Sequence, residues 1–153
     1  MVGAGVDERS RGFFTGDTFG LSYREFDTAQ GAWLLPTTTP VQFDPVALRA
    51  SVQRMLGFAP ECMYLTHYGR IVDVARLGAS LLEQLDAMVQ LGLSLRRHAD
   101  RHVALKQGLA DQYVALLDRH GCALPHAESL ALLAMDLELN AQGLAIWLDK
   151  AVA

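Results

Sequence analysis

The sequence predicts an α/β segment over residues 1–72, with a few short strands, followed by an all-helical segment over residues 73–153, so that helix dominates overall. Two observations carry this. Up to residue 72 the apolar residues come in short runs bounded by glycine, proline and polar turns, "RGFFTGD" and "CMYLTH" among them, as strands do. From Asp73 onward they recur every three or four residues, the stripe of helices that bury one face.

The first element is a hairpin. A polar turn from Asp7 to Gly12 separates two short apolar stretches, and Phe13 to Thr15 form the second strand. Residues 19–43 show neither period, and loops of that length in compact domains are usually functional. A helix then starts at "DPVALRASVQRMLGF": Asp44 can cap it, and Pro45 suits its first position, where a missing N–H goes unnoticed. Leu48, Val52 and Met55 share its inner face. After Pro60, residues 62–67 read as a buried strand ending at His67.

Three helices follow. In the first, Val74, Leu77, Leu81, Leu85 and Met88 make the buried stripe; the second, over 103–119, turns Leu105, Leu109, Tyr113 and Leu116 inward. "HGCALP" interrupts the chain, because glycine favours a helix C-terminus and Pro125 resists continuation. One last helix, over 126–150, buries Leu130, Leu133, Leu137, Leu144 and Trp147 or Leu148.

Composition narrows the function. With 153 residues, 51% of them hydrophobic, the chain can build a genuine core. A net charge of -4 and the lack of any lysine- or arginine-rich run argue against nucleic acid as a partner, since phosphate binding needs clustered positive charge. The most apolar long segment, 71–95, carries Asp73, Arg76, Glu83 and Asp86, which a bilayer would penalise, so no membrane role is expected. Two cysteines without a disulfide pattern, and an N-terminus unlike a signal peptide, point to the cytoplasm.

Two residues stand at the ends of apolar runs. Asp17 follows Gly16, which allows a tight turn, and is either a turn aspartate bonding its own backbone or a carboxylate aimed at a metal or substrate. His67 is either a satisfied structural histidine or a ligand. Tyr68 and Arg70 flank His67 and can contact a substrate or support its site, as can Tyr23 and, in the threonine-rich loop, Thr38 with Thr37 and Thr39. His98 and His102 are four apart with Asp100 between them, a weaker metal candidate in a highly charged segment.

"FFTGDTFGLSYREFD", followed at a distance by "MYLTHYGR", resembles the metallo-β-lactamase-fold hydrolases, especially their glyoxalase II-like branch. The resemblance covers most of residues 5–72 and makes the helical section a C-terminal extension. It implies that Asp17 matches the aspartate bridging two metal ions and His67 the last histidine ligand. The cofactor it implies is a divalent metal, zinc first, with iron or manganese as alternatives. The reaction it implies is hydrolysis of an ester, thioester or lactone of a small-molecule substrate by metal-bound hydroxide. The family's "H-x-H-x-D-H" motif, however, is not in this sequence. The expectation is therefore the C-terminal part of such an enzyme, inactive alone, that self-associates or pairs with a missing N-terminal half. The competing expectation is a non-catalytic helical oligomerisation module retaining a relic of the fold.

Overall fold

The computed structural model describes residues 5–150. It is mixed α/β and helix-dominated: among the described residues a four-stranded sheet is followed and flanked by five helices. Strands β1 (Gly5–Asp7) and β2 (Gly12–Gly16) form the expected hairpin, with Val6 opposite Phe13. Asp7 stabilises its turn by accepting a bond from the Ser10 N–H (3.2 Å). Helix α1 (Pro45–Gly57) starts where the sequence places it, and Asp44 Oδ1 accepts from the N–H groups of Val46 (2.9 Å) and Ala47 (3.0 Å). It carries the chain back so that β3 (Cys62–Leu65) pairs parallel with β2, and β4 (Arg70–Ile71) then turns antiparallel. The sheet order is β1-β2-β3-β4.

One face of this sheet is covered. Phe13, Met63 and Ile71 pack with Val52 and Met55 of α1 and with Val74, Leu77 and Leu81 of α2 (Val74–Ser94). The other face carries Phe14 stacked on Tyr64 (4.7 Å between ring centres), and Phe14 is 54% exposed.

The helical part has its own core, and α2 belongs to both. Its first half lies under the sheet, whereas Leu85 and Met88 join Leu105, Leu109 and Tyr113 of α3 (Arg101–His120). Leu117, not Leu116, completes the inner stripe of α3; Leu116 is only half-buried. The C-terminal helix expected over 126–150 is two helices, α4 (His126–Leu132) and α5 (Ala134–Lys150), interrupted at the fully buried Leu133. The residue-72 boundary is thus a change of secondary structure, not a break in packing.

Residues 19–43 bind the two cores together. Phe19 and Leu34 point into the sheet core, while Leu21, Phe26, Trp33, Leu35 and Phe43 fill the helical one. Phe26 meets Trp33 edge-on at 5.4 Å, and Trp33 meets Tyr113 at 6.1 Å; such aromatic pairs each add about 0.5–1.5 kcal/mol beyond the area they bury. The loop is ordered because polar bonds pin it as well. Gln84 of α2 donates to the Leu34 carbonyl (2.7 Å), and Asn140 of α5 holds both Pro36 and Thr38.

Candidate functional site

Parallel pairing of β2 and β3 puts their C-terminal ends side by side, Gly16 opposite Leu65 across an irregular register. The chain turns sharply after each strand. Gly16 (φ +55°) supplies a conformation that residues with a Cβ adopt only with strain, and Thr18 donates back to the Thr15 carbonyl (3.1 Å). Beyond β3, Gly69 (φ +121°) lets the β3–β4 turn close, and the Leu65 N–H donates to its carbonyl (2.9 Å). These two turns present Asp17 and His67 to each other, with Oδ1 and Nε2 3.7 Å apart and both side chains more than half exposed. Ends of adjacent parallel strands are the usual place for α/β ligand sites, because loops diverge there and leave a crevice.

The donor set fits one ion in part. Zinc takes carboxylate oxygen and imidazole nitrogen at about 2.0–2.2 Å in a tetrahedral array, which sets two donors about 3.4 Å apart, so the 3.7 Å here comes near that spacing without matching it. A closed site needs more ligands, and among the described residues no group of three His, Cys, Asp or Glu side chains is placed to hold a metal.

The flanking residues divide. The Tyr68 hydroxyl donates to the Asp27 carboxylate (2.7 and 2.9 Å), and the Arg24 guanidinium lies 4.7 Å above the Tyr68 ring. Burial and the Asp27 bond raise the Tyr68 phenol above its ordinary value. Together with a bond from the Ser22 N–H to the His67 carbonyl (3.3 Å), these contacts clip residues 22–27 onto the turn that carries His67. Tyr68 is therefore a support for the site. Arg70 lies elsewhere: opposite Tyr64 in the sheet and beside Cys62, it belongs to the open sheet face. Thr38 is also elsewhere. It is 2% exposed, with its N–H on Asn140 Oδ1 (2.8 Å) and its hydroxyl on the Leu139 carbonyl (2.9 Å), so it anchors the loop to α5. Its neighbours Thr37 and Thr39 line a cavity of about 400 Å³ that opens beside Asp17.

Tyr23 leads to a residue that the sequence did not reveal. Its hydroxyl donates to Asp136 Oδ2 (2.7 Å), at the start of α5. Asp136 is only 6% exposed, and burial raises its carboxyl above the ordinary value, against the Tyr23 bond and the nearby His67 charge, which both lower it. Desolvation, with Asp136 alongside, likewise raises the Tyr23 phenol. Asp136, one of two acids among the leucines of "LLAMDLEL", gives no local signal of burial; only the loop from the first part of the chain creates its partner.

A carboxyl raised by burial contributes stability in its protonated form. That stability is present below the ordinary value of 3.8 and is lost as pH rises through the higher folded value. Asp136→Asn, which keeps an acceptor for Tyr23, is expected to gain stability over wild type at pH 7, by about 1.4 kcal/mol for each unit of the raise. The gain should shrink as pH falls towards 4. Paired urea melts at the two pH values check this, and a variant less stable at pH 7 than at pH 4, relative to wild type, would contradict it.

His98, Asp100 and His102 line one cavity at the start of α3, but they are not grouped as metal ligands, and each histidine has a partner of its own. His98 precedes α3 and accepts from the Asp100 N–H (3.2 Å), while His102 meets Glu138 at 3.0 Å. Glu138 also takes Lys106 at 2.7 Å, and the Lys106 and Gln142 bonds hold its carboxyl down at about 2. Both cysteines are free, and no helix among the described residues is long and apolar enough to cross a membrane. No protein-family model, curated protein or solved structure matches the chain.

Proposed function

We propose that this chain carries part of the metal site of a metallo-β-lactamase-fold hydrolase, in which Asp17 and His67 are metal ligands. The observation that supports it best is their 3.7 Å separation at the ends of two paired parallel strands, across 50 positions of sequence. A divalent metal, zinc first and iron or manganese as alternatives, would supply Lewis acidity for hydrolysis of an ester, thioester or lactone. The chain's own part is to hold and orient. Asp17 offers a carboxylate oxygen suited to bridging, and His67 an imidazole nitrogen on a backbone fixed by Ser22 and by the Tyr68–Asp27 clip. Near His67, the loop residue Tyr23 and the α5 residue Asp136 form a hydrogen-bonded pair, so the helical section contributes one of the two.

Two ligands make an incomplete centre, so these residues would work together with ligands from further polypeptide, and the chain alone would be inactive. The uncovered sheet face with Phe14, Tyr64 and Arg70 is a surface on which such a partner would pack. The same face favours a second reading, a non-catalytic module that works by self-association. Exposed Val6 (59%) on the edge strand β1 adds to it, since edge strands invite pairing.

Zinc binding separates the readings. Isothermal titration of the metal-stripped chain is expected to show one zinc per chain, bound at least tenfold more weakly in Asp17→Ala and in His67→Ala. If wild type and both variants take up zinc equally or not at all, the metal reading fails, and the self-association reading stands on its own test of oligomeric state.

A further inference from the structure

Residues 30–34 of the loop, the first half of α2 and the last turn of α3 enclose a separate cavity of about 150 Å³, which neither Asp17 nor His67 lines. Polar bonds fix its walls. His120 Nε2 lies 3.0 Å from the Gly31 carbonyl, and Gln30 Nε2 donates to the Arg119 carbonyl (3.3 Å), so the turn at Gly31 is tied to the end of α3. From α2, Arg76 donates through Nε to Asp73 and through Nη2 to the Ala32 carbonyl (3.4 Å).

Donors in these walls remain without acceptors. The Arg119 side chain forms no ion pair and no hydrogen bond among the described residues, and Arg76 Nη1 forms none either. Ser80 accepts from Gln84 (3.3 Å) and keeps its own proton to donate. Trp33, in the same wall, is only 4% exposed, and its indole N–H is buried with no partner among the described residues. Since roughly nine in ten or more buried polar groups are paired, such an orphaned donor marks a place for an acceptor. No aspartate or glutamate lines the cavity, and Asp73 offsets Arg76, so the uncompensated charge is the single one on Arg119.

We propose that this cavity binds a short-chain monocarboxylate, held by Arg119 with Ser80 and Arg76 beside it and supplying the acceptor that Trp33 lacks. Three features select that ligand. A guanidinium presents parallel N–H donors that match the two oxygens of a carboxylate. One uncompensated positive charge balances a monoanion, whereas a phosphate carries nearly two negative charges near neutral pH. Size sets the rest: at about 30 Å³ for each water-sized atom the cavity holds about five heavy atoms, the size of propionate. Leu34, Leu77 and Leu116 give its alkyl stem an apolar wall. Bound there, the ligand would join the loop to α2 and α3 at once, independently of any metal at Asp17 and His67.

The test titrates the ¹⁵N-labelled chain with sodium propionate and with propionamide, equal in size and differing in charge, in a buffer free of other carboxylates and of phosphate. Propionate is expected to give a saturable shift of the Trp33 indole N–H signal and to bind at least tenfold tighter than propionamide. Trp147, which does not line the cavity, is the internal reference and should not move. Arg119→Gln, at an exposed position, should melt as wild type does and weaken propionate at least tenfold, and Arg119→Lys, which keeps the charge without the fork, should fall between. Four results would each overturn the proposal: no saturable shift of the Trp33 signal, propionamide binding as tightly as propionate, propionate binding unchanged in Arg119→Gln, or inorganic phosphate binding tighter than propionate. Zinc uptake by Arg119→Gln should equal that of wild type, so the metal reading and this one fail separately.

Discussion

Asn140→Ala is expected to lower the unfolding free energy by roughly 3–5 kcal/mol, a large part of the stability of a domain this size. Asn140 is fully buried. Its Oδ1 accepts the Thr38 N–H (2.8 Å), and its Nδ2 donates to the Pro36 carbonyl (2.9 Å) and the Tyr113 hydroxyl oxygen (2.8 Å). Alanine leaves all three partners without this side chain in an apolar surrounding, and each buried group left unpaired costs about 1–3 kcal/mol. The Tyr113 phenol, raised by burial, keeps its proton at any working pH and cannot ease the loss by ionising. Urea unfolding measures the effect, and a loss below about 1 kcal/mol would mean that the loop is held by its apolar residues alone. Asn140→Asp refines the result: it keeps the acceptor for Thr38 but removes the donors, so it should fall between wild type and alanine only at acid pH, where the carboxyl is protonated.

Gly20→Ala should cost about 2–5 kcal/mol, from two causes that add. The φ of +77° lies in the left-handed region, which costs a residue with a Cβ about 1–2 kcal/mol. The added Cβ also meets the Leu35 carbonyl oxygen well inside contact distance and Leu81 Cδ1 at 3.0 Å, and overfilling a packed site typically costs about 1–3 kcal/mol. Leu35 cannot retreat, because its backbone pairs with Leu21 in both directions (3.0 Å each). The Gly20 N–H also donates to the Asp17 carbonyl (3.1 Å), so the strain reaches the proposed ligand. Thermal unfolding and zinc titration of the variant read the two consequences. Gly57→Ala is the comparison, because a Cβ there meets nothing within 4 Å. Equal melting temperatures for the two variants would rule out the crowding at Gly20.

Features governed by short-range forces were legible in the sequence. The α1 start follows from Asp44 and Pro45, which act on N–H groups two and three residues away. The α2 stripe follows from helical geometry, and all five of its expected residues are buried. Legibility fails where packing overrules local preference. "SLALLAMDLEL" holds no glycine or proline, yet the helix is interrupted at Leu133, which is wholly enclosed by the helical core. Thr38 and Thr39 look alike as sequence, but one is buried against α5 and the other lines the cavity beside Asp17.

The sequence by itself determined the opening hairpin, the starts of α1 and α2 and the residues worth watching, Asp17 and His67, but neither β4 nor the division of the last helix into α4 and α5. Only the tertiary structure decided which of these meet. Parallel pairing of β2 with β3 brings Asp17 to His67, and docking of the loop on α5 brings Tyr23 to Asp136, 113 positions away. The physical reason is range. Caps and periodicity act within a turn or two, whereas these encounters depend on which apolar faces bury each other across the whole chain.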